Sequence, residues 1–108
     1  MKNIVEHNLT IQAGSDYTID FLTQEDDGTP IDVAWAEVES QLREKAEHHN
    51  ALPFDCYADE TGVHLAMSHE VTAEIDYTRG EYDVFLLFDG SRTAFARGSV
   101  EIIPAVTR

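Results

Sequence analysis

Gly80-Glu81-Tyr82-Asp83-Val84-Phe85-Leu86-Leu87-Phe88-Asp89-Gly90 decides the fold. Tyr82 to Phe88 is a run of aromatic, aliphatic and β-branched residues, and Asp89-Gly90-Ser91 is a tight-turn signal. A second long run from Arg92 to Ile103 follows, closed by Pro104, so the pair reads as a β-hairpin. Gly98 inside the second run predicts a bulge. The first run is apolar on both faces: Tyr82, Val84, Leu86 and Phe88 alternate with Phe85 and Leu87. Such a strand is either central, with its outer face covered from within, or its outer face meets another chain.

The same grammar extends back to Leu9. Leu9-Thr10-Ile11 alternates until Gly14, and Tyr17, Ile19 and Phe21 alternate with Thr18 and Asp20. Glu25 to Pro30 is a turn, with Gly28 free to take a positive φ. Phe54, Cys56 and Ala58 alternate with Asp55 and Tyr57; after the turn Asp59-Glu60-Thr61-Gly62, Val63, Leu65 and Met67 point one way, giving a second hairpin. Ile31 to Glu44 fits two periods. Ala34, Ala36, Val38, Ser40 and Leu42 share a face at period two, with Trp35 and Glu37 on the other, while Val38 and Leu42 also fit a helix. Strand is preferred because its flanks are turns. Lys45 to Asn50 reads as a polar loop or helical turn. Ser68 is an N-cap candidate with Glu70 in the first turn, and Val71 and Ile75 give a short helix over one end of the sheets, ended by Arg79-Gly80. About seven strands with turns at roughly ten-residue spacing predict an all-β sandwich or barrel with one short helix.

Length and composition bound the rest. The chain has 108 residues, so one domain over residues 1–108 is expected, with no linker or repeat inside it. Seven Lys and Arg against 21 Asp and Glu leave a formal net charge of -14. That sign repels phosphate backbones and anionic lipid, and it favours a basic partner, a bound cation or plain solubility. No apolar run approaches a membrane span, and Met1 to His7 lacks the apolar core of a secretory leader. The single cysteine, Cys56, excludes an intramolecular disulfide and suits synthesis in a reducing cytoplasm.

No motif carries chemistry. Five histidines, among them adjacent His48-His49, His64 and His69, raise the question of a metal, with Cys56 as a further ligand. Zinc needs three or four converging ligands, and Cys56 and His64 sit on opposite strand faces, so solvated histidines are the simpler reading. Glu25-Asp26-Asp27-Gly28 lacks the ligand register of a calcium loop. No nucleophile elbow or glycine-rich phosphate loop is present. Trp35, Tyr17, Tyr57, Tyr77 and Tyr82 form a sugar-stacking platform only if exposed and coplanar; packing within the sheets is the plainer role.

An ordered series of segments carries a resemblance. Leu9-Thr10-Ile11-Gln12-Ala13-Gly14, Asp16-Tyr17-Thr18-Ile19-Asp20-Phe21 and Asp27-Gly28-Thr29-Pro30-Ile31-Asp32-Val33 come first. Gln41-Leu42-Arg43-Glu44, Met67-Ser68-His69-Glu70-Val71-Thr72-Ala73, Gly80-Glu81-Tyr82-Asp83-Val84, Gly98-Ser99-Val100 and Val106-Thr107-Arg108 follow. The series spans nearly the whole chain and resembles small bacteriophage virion proteins, in particular the N-terminal attachment domains of siphophage upper-baseplate proteins. One departure is Ala34-Trp35-Ala36, where the family often has Gly and an aromatic. The resemblance implies an immunoglobulin-like antiparallel β-sandwich located in the virion, with other virion proteins as partners in a symmetric multi-copy assembly. It implies no enzyme activity.

The expectations follow. The chain is a non-enzymatic structural subunit that needs no cofactor or metal and binds no nucleic acid or membrane. It docks through Phe85 and Leu87, with Trp35 as a hot spot. The alternative is an acidic DNA mimic that inhibits a DNA-binding protein, and a carbohydrate-binding module stands third.

Overall fold

A computed structural model describes residues 4–44 and 51–105. The hairpin that opened the sequence reading is its spine: β8 (Arg79–Phe88) pairs antiparallel with β9 (Ser91–Ile103). Asp89 and Gly90 both take positive φ, 51° and 82°, the two-residue turn whose twist matches a right-handed ribbon. At about 3.3 Å per residue, the 13-residue β9 accounts for most of the molecule's 44 Å long axis.

Two sheets stack on this spine. The larger contains β1 (Val5–Glu6), β9, β8, β4 (Glu37–Glu44) and β5 (Leu52–Pro53) in that order, with β2 (Leu9–Gln12) also on β9. The smaller is β3 (Tyr17–Leu22), β7 (Gly62–Met67) and β6 (Asp55–Ala58). Of these nine strands, seven are longer than two residues. A five-position sheet facing a three-stranded one with this connectivity is an immunoglobulin-like β-sandwich. The pairing differs from a wholly antiparallel expectation in one place: β1 and β2 run parallel to β9. The first strands cross onto the last one and leave β3 behind.

Strand parity built the core. Ile11, Leu42, Val63, Leu65, Val84 and Val100 are essentially inaccessible between the sheets. The bulge falls at a different residue from the one glycine suggested. Val84 faces Ala96 and Phe85 faces Ala94, so Phe95 is the extra residue in β9. The insertion turns both Phe95 and Ala96 inward, and the Phe95 ring meets Phe21 edge-on at 5.9 Å. Gly98 serves a close approach instead: a Cβ there would strike the His7 carbonyl of the first strands. Tyr82 Oη donates to that same carbonyl at 2.6 Å.

Two boundaries also moved. The helix α1 covers only His69–Thr72, with Ser68 accepting the Val71 N–H as its cap. Thr72 ends it from inside the fold, donating to Ser15 O and accepting from Gly14 N–H. Arg79 and Gly80 therefore begin β8 and do not end a helix; Gly80 is bare because the Arg43 carbonyl lies against it. Residues 31–36 leave the expected strand. Asp32 Oδ1 accepts the Ala34 N–H at 2.8 Å, and the Val33 N–H donates across to Asp59 O, so the segment turns over the end of the sandwich before β4 starts. The expected loop at Lys45 to Asn50 lies outside the described residues.

Candidate functional site

The loop between β3 and β4 is pinned at its root. Thr23 Oγ1 donates to Ile31 O at 2.6 Å, and the Ile31 N–H returns to Thr23 O. Val33 is buried beneath it, and the Asx turn at Asp32 lifts Trp35 out. Indole Nε1 donates to Asp32 O at 3.0 Å, which fixes the ring's orientation. Trp35 then meets Phe88 edge-on, centroids 5.2 Å apart, yet 54% of Trp35 and 55% of Phe88 remain exposed.

Phe88 is exposed for a geometric reason. It follows Tyr82, Val84 and Leu86 on the inner face of β8, but it shares its cleft with Thr23, Ile31 and Val33, residues beyond the end of β3 at Leu22. The open end forms a cleft of about 450 Å³ lined by Thr23, Ile31, Val33, Trp35, Leu86 and Phe88. Around the tip of the hairpin, Trp35 and Phe88 also border a second depression with Leu87, Glu37, Asp89 and Arg92. Glu37 and Asp89, with Arg92, therefore share the depression that the two rings border.

The three residues expected at an interface separate here. Leu87 joins Trp35 at this end and is half-buried. Phe85, one step further along the outer face, is covered from within: the Arg92 guanidinium lies 3.7 Å from its centroid, and Arg92 Nε donates to Glu39 at 3.3 Å. Thus β4, β8 and β9 each contribute one residue to a stacked cover. Sequence reasoning missed Phe88, because strand parity assigned it to the core. It also missed Ile31 and Val33, whose hydrophobicity inside a turn-rich segment was the available signal.

A second polar cluster sits on the outer face of the smaller sheet. His64 Nδ1 bonds Asp20 at 2.6 Å, Nε2 bonds Asp59 at 3.0 Å, and Tyr57 stacks on the imidazole at 4.7 Å. The carboxylates of Asp20 and then Asp59 raise the His64 pKa. Asp59 is held well below the usual carboxylate range by the Thr61 hydroxyl first and by His64 next. Cys56 is on the other side of its strand and donates to Val38 O, so it does not approach His64. Burial, with the charge of Asp55 second, pushes its thiol pKa up. Among the described residues, no three His, Cys, Asp or Glu side chains converge to hold a metal ion. His48 and His49 lie outside them. His69 instead bonds Asp16 at the helix start, and Asp27 caps its own turn through the Thr29 N–H.

The aromatic residues do not share a plane. Tyr82 is in the core with its pKa pushed up to about 12 by burial, Tyr17 and Tyr77 are half-buried, and Tyr57 belongs to the opposite sheet. Trp35 and Phe88 are inclined at 78°. Stacking a sugar ring across both is not built into this pair.

No family model matches the chain, and no curated protein matches it. Among solved structures, the extracellular fragment, including the stalk region, of Novel Immune-Type Receptor 11 from Ictalurus punctatus superposes with a TM-score of 0.44 at 11% identity. The match covers 100% of this chain and 90% of that one.

Proposed function

We propose that this chain is a non-enzymatic structural subunit of a bacteriophage particle, acting by docking onto other virion proteins. The observation that carries docking is the exposed Trp35–Phe88 pair on a backbone locked by the Thr23–Ile31 and Trp35–Asp32 bonds. Two large rings held in water at fixed orientation lose little entropy when a partner covers them. Each Å² of apolar surface removed from water then contributes about 25 cal/mol. Trp at the centre of such a patch is a frequent hot spot. The carboxylates around it match an apolar pocket rimmed by Lys or Arg on the partner. The virion setting rests on the ordered sequence resemblance.

Mass spectrometry of purified particles, counting this chain against the major capsid protein, tests the setting. A reproducible stoichiometry is expected, and absence from particles removes the reading. The docking surface is tested by Trp35→Ala and Phe88→Ala, each expected to weaken attachment by ~30-fold or more. If the chain acts instead as an acidic DNA mimic, binding to its target collapses in 1 M salt, whereas an apolar contact survives it.

A further inference from the structure

The smaller sheet has an open side. Among the described residues, β3 pairs with β7 along one edge and with no strand along the other, because β1 and β2 run on β9 instead. The opposite edge, at β6, is tied across to the larger sheet: Phe54 N–H donates to Ser40 O and Cys56 Sγ to Val38 O. The β6 side thus lies against β4, whereas the β3 side presents a run of unclaimed backbone beside an open groove among the described residues.

The direction of that backbone follows from the ladder. Thr23 N–H donates to Thr61 O one step beyond the Leu22–Gly62 pair. Hydrogen-bonded and non-bonded residues alternate along an antiparallel pair. Tyr17, Ile19 and Phe21 thus bond β7, while Thr18, Asp20 and Leu22 aim their N–H and C=O groups out of the edge. Beside the edge runs a groove of about 410 Å³ between β3 and β1, with Val5, Ile19, Phe21, Leu22, Ile31 and Phe95 among its walls. Phe21 and Phe95 form a buried floor; Val5 and Leu22 are exposed rims.

Charge selects the occupant. From Asn3 to Leu42 the chain carries no Lys or Arg; Glu6, Asp16 and Asp20 on or next to β1 and β3 are held by Arg97, His69 and His64, Glu25 follows β3, and the molecule as a whole keeps a formal net charge of -14. A second copy would set two such acidic edges side by side on molecules of charge -14. We propose that the free edge of β3 is a strand-acceptor site for one extended, cationic segment of another protein. The segment adds a fourth strand to the sheet, seats alternate aliphatic side chains in the groove and directs Lys or Arg outward toward the carboxylates. The groove adjoins the Trp35 cleft at Thr23 and Ile31, which line both, but its strand-pairing groups lie on β3, and the proposal stands whether or not the Trp35 end docks.

A synthetic peptide of alternating Lys and Val, titrated into the full chain and followed by amide NMR, is the test. The expected result is at least tenfold slower hydrogen exchange at Thr18, Asp20 and Leu22. N-methylation of every second peptide amide should weaken binding about tenfold, the loss of roughly one net hydrogen bond or more. Thr18→Pro removes an outward N–H without touching the β3–β7 bonds and should weaken binding similarly; if it unfolds, the N-methylated peptide carries the test. Four outcomes overturn the proposal: no protection at saturating peptide; a footprint at Trp35 and Phe88 instead; protection of the three amides in the peptide-free monomer, meaning the chain covers its own edge; or a dimer by sedimentation that protects the same amides, meaning a second copy does.

Discussion

At the residue scale, His64 is where pH acts on the fold. Its pKa is raised by Asp20 and Asp59, so its contribution is complete below the unfolded value near 6.5 and is lost as pH climbs through the raised folded value. Asp59 has the opposite sign: its depressed pKa contributes above the unfolded value near 3.9 and fades as pH falls through the folded one. The pair is strongest between roughly pH 4 and pH 6.5. Urea midpoints of wild type and His64→Gln should differ most in that window and converge above it; a constant difference from pH 5 to pH 9 would contradict the assignment. Two glycines separate sterics from conformation. Gly62 has φ 151° and the Phe21 carbonyl where a Cβ would go, so Gly62→Ala should cost roughly 2–4 kcal/mol. Gly28 has φ 89° and open space around it, so Gly28→Ala should cost only about 1–2 kcal/mol. Denaturant melts of the two variants compare them directly.

Elements depend on a few anchors. The Tyr82 hydroxyl holds His7, and with it the turn-off of the first strands onto β9. Tyr82→Phe should lower stability by about 1 kcal/mol and speed amide exchange at His7 and Leu9, since the part-buried His7 carbonyl loses its donor. The β8–β9 hairpin carries aromatic rings with opposite duties. Phe95, turned in by the bulge and 2% exposed, should cost about 3–5 kcal/mol on truncation to alanine. Trp35→Ala and Phe88→Ala remove rings that are mostly in water and should cost less than roughly 1 kcal/mol each. Thermal melts that rank Phe88 with Phe95 would mean that the open end is closed in solution.

Charge is a property of the whole molecule. Six ion pairs are formed among the described residues, three of them through histidine, and most of the acids among those residues lie outside them. Self-repulsion of -14 opposes compaction and is screened by salt. The melting temperature should therefore rise between 10 mM and 500 mM NaCl at pH 7, by several degrees for about 1 kcal/mol. A flat or falling response would show that the surface pairs outweigh the repulsion. The same charge would give the two proposed docking surfaces one preference, for partners bearing Lys and Arg.

Much of the fold was legible because sheets encode burial with period two. Tyr17-Ile19-Phe21, Val63-Leu65-Met67 and Tyr82-Val84-Leu86 announced their inner faces, and Asp89-Gly90 and Gly62 announced turns, through local sterics that need no tertiary context. Trp35, Leu87 and Phe85 were identifiable as large apolar residues off the core face, but their fates were not. Whether Phe85 is bare depends on Arg92 and Glu39 arriving from two other strands, and whether Phe88 is core depends on where the opposing sheet stops. Nor does any local pattern say that β2 joins β9 in parallel and leaves β3 with a free edge. Periodicity reports which side of a strand avoids water; which neighbour supplies the cover, and where the cover runs out, is settled by contacts between residues tens of positions apart.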